Sequence, residues 1–154
     1  MGYPGQILFF VVSLNFLHLI SDDPQYCLWD HFKELESMEL HRLVNLARFV
    51  AEMVSSFTVS LSLLKTVDLT DLERLTPKRI MHFRVLFETI FENSDALVWN
   101  IFTRVAAIPE LEILRDGVVY FIKRYLLAAN SGKSFAQKYK IAKKALANEA
   151  GVLM

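Results

Sequence analysis

Glycine and proline are scarce in this 154-residue chain, at five and four copies, too few for a fold built on tight β-turns. Cysteine is scarcer still. Cys27 stands alone, which excludes an internal disulfide and leaves any zinc site without its other ligands. Its expected place is a small apolar position in a core, and such usage suits a reducing compartment. Net charge is absent as well, because 17 Lys and Arg balance 17 Asp and Glu. The balance hides a gradient: residues 1–76 carry five basic against ten acidic side chains, and residues 77–154 carry twelve against seven. A basic half of this kind points toward a polyanionic partner. Long apolar runs are limited to residues 7–20, ILFFVVSLNFLHLI, interrupted by Ser13, Asn15 and His18 and short of the roughly 20 residues a membrane-spanning helix needs. That run has no basic start or small-residue cleavage site of a secretory signal. Gln6 also stands where N-myristoylation favours Ser or Thr. A packed or interface helix is expected there, or a segment apart from the fold; the alternative is a membrane-associated helical protein anchored by residues 7–20.

What is present is helical periodicity. The hydrophobic content is 53%, with twelve Phe, and a chain of this length buries about two thirds of its unfolded surface in one domain. The organising stretch is residues 38–67. Leu40, Leu43, Val44, Ala47, Val50, Ala51 and Val54 recur at the spacing of an amphipathic helix. His41, Arg42, Asn45, Arg48 and Glu52 fall between them and are expected to face water or a partner. Ser60 is placed to cap a second short helix over residues 61–66, so the spacing predicts a helix, a turn and a returning antiparallel helix. Leu43, Val44, Ala47, Val50, Leu63 and Leu64 should then be buried against the helices that follow Pro24 and Thr76.

Punctuation marks the remaining elements. Asp23-Pro24 and Thr76-Pro77 combine a cap with a proline suited to the first helical turn. The helix after Pro24 carries Leu28, Trp29, Phe32 and Leu35, and the one after Thr76 carries Ile80, Phe83, Phe87, Ile90 and Phe91. Ser94 opens a helix with Leu97, Val98, Ile101, Phe102 and Val105 inward, and Pro109 begins another along Leu111, Leu114, Val118, Phe121, Ile122 and Tyr125. Gly132 is expected as a left-handed stop, and a last helix runs over residues 134–148 with Phe135, Tyr139, Ala142 and Leu146 on one side. Seven or eight helices with short links and no strand define an all-α chain, arranged as a HEAT-like stack of antiparallel helix pairs, an α-solenoid.

Motifs for chemistry are lacking. Ser131-Gly132-Lys133-Ser134 resembles the end of a P-loop, but Leu127 occupies the place of the first glycine and no strand leads in. His18, His31, His41 and His82 are scattered, and His31 with Glu34 reads as an ordinary polar helix face. No metal, cofactor or catalytic residue is expected. Lys133, Lys138, Lys140, Lys143 and Lys144 instead gather on the last helix against Glu149 alone, a pattern that suits RNA phosphates as well as a solvated face. Arg42, Arg48, Arg104 and Arg115 lie beside rather than within apolar stripes and are the candidates for protein contacts.

Several segments taken together resemble a known family: residues 28–36 (LWDHFKELE), 43–51 (LVNLARFVA), 60–67 (SLSLLKTV), 101–105 (IFTRV) and 114–117 (LRDG). They are similar to the MI domain at the C-terminus of nucleolar scaffold proteins that also carry a domain like the middle domain of initiation factor 4G. A sister branch of splicing factors shares the second and third segments and is less similar around residues 101–105. The likeness runs over residues 25–154. It implies a helical body over residues 24–132, a basic C-terminal helix over 133–154, and an N-terminal segment, residues 1–23, dispensable for that body. It further implies a non-enzymatic scaffold for protein and RNA contacts within pre-ribosomal particles, in small-ribosomal-subunit biogenesis in the nucleolus. A DEAD-box RNA helicase would be reached through the middle domain of the wider scaffold, which this sequence does not contain.

Overall fold

A computed structural model describes residues 24–129 and 132–148. The expectations for residues 1–23 and for the Cys27 side chain lie outside what it describes. Among the described residues every regular element is helical: α1 (Pro24–Lys33), a 3-10 turn (Leu35–Ser37), α2 (Leu40–Ser55), a 3-10 helix (Leu61–Thr66), α3 (Pro77–Ile90), α4 (Asp95–Ala106), a 3-10 turn (Pro109–Leu111), α5 (Glu112–Phe121) running on as a π-helix (Ile122–Leu127), and α6 (Lys133–Leu146). Hydroxyl caps set three of the starts. Ser60 Oγ accepts from the Ser62 amide, Thr76 Oγ1 from Arg79 and Ser94 Oγ from Leu97, each satisfying an amide that the first helical turn leaves free.

The helices stack in two layers. α2, α3 and the α5/π segment form one, and α1, the 3-10 helix Leu61–Thr66, α4 and α6 form the other. Neighbours within a layer run parallel, as the hydrogen bonds between them show. Lys78 Nζ donates to the Met38 carbonyl, the His82 ring pairs with the Leu43 carbonyl, and Asn93 Nδ2 donates to Ser55 Oγ, so position advances together along α2 and α3. Gln137 bonds Asp95 and Asn148 bonds Thr103 in the same sense along α4 and α6. Successive helices such as α3 and α4, joined by a turn at Asn93-Ser94, lie antiparallel across the two layers. This is the HEAT-like, all-α arrangement expected.

Four details correct the sequence reading. The short helix after Ser60 is 3-10, and its main contacts are with α1, α4 and α5; the extensive partner of α2 is α3. Trp29 Nε1 on α1 donates to the Leu63 carbonyl, which ties the short helix to the other layer. On α2 the buried arc centres on Leu43, Leu46, Ala47, Val50 and Val54 and extends to Asn45, while Leu40 is 54% exposed at the helix start. Neighbours enclose the middle of α2 from more than one side, so its inward arc is wider than a single stripe. His31 is buried rather than on a polar face. Gly132 has φ −70, an extended N-cap of α6 rather than a left-handed stop.

Phenylalanines stitch the layers together. Phe83, Phe87, Phe102 and Phe121 are fully enclosed. Ring centroids stand 5.7 Å apart for Phe32 and Phe83, 5.8 Å for Phe87 and Phe121, 6.4 Å for Phe87 and Phe102, and 5.1 Å for Phe91 and Phe135. The row runs from α1 through α3 to α4, α5 and α6, with one stacked pair, Phe87 and Phe102, among tilted and edge-on ones. His82 lies within it, 5.1 Å from the Phe83 ring. Its Nδ1 is 2.9 Å from the Leu43 carbonyl. A carbonyl only accepts, so Nδ1 carries the proton and Nε2 is left as a buried lone pair.

Two outcomes follow from this core. Phe87→Ala should cost about 3–5 kcal/mol, and Leu43→Ala or Leu63→Ala about 2–5 kcal/mol, read from urea unfolding. Burial pushes His82 down from its ordinary 6.5 to about 4, against the opposing pull of its Leu43 bond. The depressed value means the native state holds His82 neutral while the unfolded chain protonates it. The resulting stability is complete above pH 6.5 and is lost as pH falls toward about 4; the full loss is about 3 kcal/mol. Unfolding curves from pH 7.5 to 4.5 should steepen in acid, and His82→Leu should flatten that slope while lowering stability at neutral pH.

Candidate interaction surfaces

Two of the four arginine candidates serve the fold. The Arg115 guanidinium donates to the Ile108 carbonyl at 2.8 Å and the Ala106 carbonyl at 3.4 Å, closing the C-terminal end of α4, where carbonyls lack partners. Arg104 lies with its guanidinium carbon 4.0 Å from the centroid of the Phe57 ring, a cation–π stack. Phe57 has φ 60, in the left-handed region usually given to glycine. It ends α2 in a Schellman turn, with the Thr58 amide on the Met53 carbonyl and the Phe57 amide on Val54. No sequence signal announced this, since an aromatic is a poor guess for that position.

Arg42 and Arg48 remain on the outer side of α2, the first exposed and the second half-buried. Neither is in an ion pair among the described residues. Arg48 lies one turn beyond Val44, which lines an open groove between the parallel helices α2 and α3. Pro77, Ile80, Met81, Arg84, Val85 and Glu88 form the rest of its wall. Leu40 stands one turn before Val44 on the same line. Ile80, read from the sequence as core, is only partly buried at this lip, and Met81 is 39% exposed. The polar members of the wall pair with each other, Arg84 Nε lying 3.0 Å from Glu88 Oε1. The stretch between them is apolar.

The lysine candidates divide. Lys133, Lys140, Lys143 and Lys144 are exposed on α6, turned away from the side that buries Ala142, Ala145 and Leu146 against α4. Lys138 is not among them. Its ammonium is 2.7 Å from Asp95 Oδ1 and donates to the Asn93 carbonyl, with the side chain 14% exposed. It clamps α6 to the α3–α4 turn. No group of three His, Cys, Asp or Glu side chains among the described residues stands together to hold a metal, and no described helix is long and apolar enough to cross a membrane.

Nucleolar MIF4G domain-containing protein 1 of Homo sapiens is 31% identical over 137 residues, covering 84% of this chain. The chain is homologous to these nucleolar MIF4G-type proteins. The Mus musculus protein is 31% identical over 135 residues, and the Drosophila melanogaster homolog 27% over 105. The chain spans only a small share of the curated relatives it matches, 16% of the human protein and 12% of the fly one. No family model and no solved structure matches.

The division of the lysines is directly measurable. Lys138→Ala should lower stability by about 1–2 kcal/mol, because it removes a partly shielded, charge-assisted contact, whereas Lys144→Ala should stay within about 0.5 kcal/mol of the parent. Thermal melts of the two variants at one salt concentration check this.

Proposed function

We propose that this chain is a non-enzymatic interaction module of a nucleolar scaffold in small-ribosomal-subunit biogenesis. The observation that carries the reading is the homology with nucleolar relatives across most of the described helical body. Their names favour this branch over the splicing-factor one. The geometry is in keeping with a scaffold: a two-layer stack offers one face with an apolar groove at Arg84 and near Arg48, and on α6 a second face of exposed lysines. The first suits protein contacts, where Arg and partly buried apolar groups are effective anchors. The second suits the phosphate backbone of RNA, bound through counterion release. A DEAD-box RNA helicase enters this picture as a partner of the wider scaffold rather than of this segment.

The two faces are separable by experiment. One variant carries Arg42→Ala and Arg48→Ala, the other Lys140, Lys143 and Lys144 changed to Gln. The arginine variant should lose RNase-resistant partners from nucleolar extract while keeping its RNA affinity. The lysine variant should keep those partners and show a slope of log affinity against log salt reduced by about 0.7 to 0.9 for each lysine removed. If the lysine variant lost every partner and the arginine variant none, an RNA-tethered role would replace the scaffold.

A further inference from the structure

We infer that the groove between α2 and α3 is a docking site for an acidic amphipathic helix of a partner protein. The inference rests on the scaffold reading and names the chemistry of its protein partner. The shape comes first. Two parallel helices packed side by side leave a gutter along their outer surface, and a third helix seats in such a gutter through residues spaced by three, four and seven. Here the gutter is lined by Val44 on α2, with Leu40 and Arg48 one turn to either side of it along that helix, and by residues from Pro77 past Met81 to Glu88 on α3. At 1.5 Å of rise per residue those stretches are about 12 and 16 Å long, which matches about three turns of a docked helix.

The apolar lining formed by Val44, Ile80, Met81 and Val85 is open, and Leu40 stands one turn from Val44 on α2. Leu40 is 54% and Met81 39% exposed, with Val44, Ile80 and Val85 partly so. Methionine in a groove lining accommodates varied apolar anchors.

Charge decides between occupants. The two wall helices carry Arg42, Arg48, Lys78, Arg79 and Arg84 against only Glu52 and Glu88. Lys78 and Arg79 are taken up by the 3-10 turn before α2, through the Glu36 and Met38 carbonyls and the Glu36 carboxylate. Arg84 holds Glu88. Arg48, one turn beyond Val44 on α2, is the half-buried cation with no ion pair among the described residues. A guanidinium in that position favours a carboxylate, with two parallel hydrogen bonds available to it. A basic helix would meet it with repulsion, and an uncharged apolar segment would leave it unpaired. The occupant is therefore apolar on one face and Glu- or Asp-bearing at its edges.

The test uses the full chain and three fluorescent peptides of about sixteen residues with one Leu/Ala face: glutamate flanks, lysine flanks, and a scramble of the glutamate peptide. Anisotropy titrations should give saturable binding of the glutamate peptide at least tenfold tighter than of the other two, weakening as salt rises. Met81→Asp should weaken it tenfold or more, and so should Arg48→Gln. Leu40→Asp serves as a second apolar variant, and unchanged melting of all three confirms that the fold is intact. Equal binding of the lysine peptide overturns the charge argument. Binding unaffected by Met81→Asp and Leu40→Asp overturns the location. A dimer in light scattering that Met81→Asp dissociates, or adsorption to lipid vesicles that it abolishes, replaces the partner helix by a second copy or a membrane. Retention of nucleolar proteins by the parent chain and its Met81→Asp variant alike removes the groove but leaves the scaffold reading standing; retention of none by the parent removes that reading itself.

Discussion

The aromatic face of α3 is the contact on which the rest of the structure depends. Phe83, Phe87 and Phe91 lie on successive turns of that helix. Between them they touch Phe32 of α1, Phe121 of α5, Phe102 of α4 and Phe135 of α6. One helix thus contacts both layers. Rings of this size bury large areas and interlock through tilted and edge-on pairs, so a short run of residues fixes the relation between helices that are distant in sequence. His82 adds a polar constraint inside the same cluster. Its bond to the Leu43 carbonyl holds the register between α2 and α3, and its lone pair, kept neutral by burial, makes that register sensitive to acid.

The surface follows from the same packing. Because α3 turns its phenylalanines inward, Met81 and Val85 are left at the rim, and because α2 runs parallel beside it, Val44 joins them in lining the groove. The groove is a by-product of parallel stacking, available without any specialised loop. At the other end of the stack α6 buries alanines and Leu146 against α4, which turns Lys133, Lys140, Lys143 and Lys144 outward. Separate apolar and cationic faces on one helical body allow two kinds of contact that do not compete for the same surface. Over 84% of the chain the likeness is to a protein named nucleolar, of which the chain spans only 16%.

Local chemistry was readable from the sequence, and tertiary choices were not. Ser60, Thr76 and Ser94 cap where the pattern placed them, and the stripes through Phe83, Phe87, Val98, Phe102, Val118 and Phe121 are buried. Each of these depends on residues within one or two turns. The packing of α2 on the helix after Thr76 is as the pattern predicts, but the antiparallel pairing with Leu61–Thr66 is not, because the Trp29 bond to Leu63 draws that segment into the other layer. Asn45 and His31 were read as solvent-facing since polarity alone cannot reveal that neighbours close over a position. Lys138 reads like its neighbours in sequence, and only the approach of Asp95, 43 positions earlier in the chain, distinguishes it. Arg104 and Arg115 were set beside the stripes correctly, yet a ring and two carbonyls occupy them. Patterns define which face of a helix is apolar; what meets that face is decided by contacts about forty residues apart.

The proposed function requires that protein and RNA occupy different faces of one helical body. Site-specific photo-crosslinking tests it most directly, with a photoreactive residue placed at position 81 in the groove or at position 144 on α6, in the full chain assembled in nucleolar extract. RNase-resistant protein adducts are expected from position 81 and RNA adducts from position 144. RNA adducts from position 81, or protein adducts from position 144 with none from 81, would contradict it.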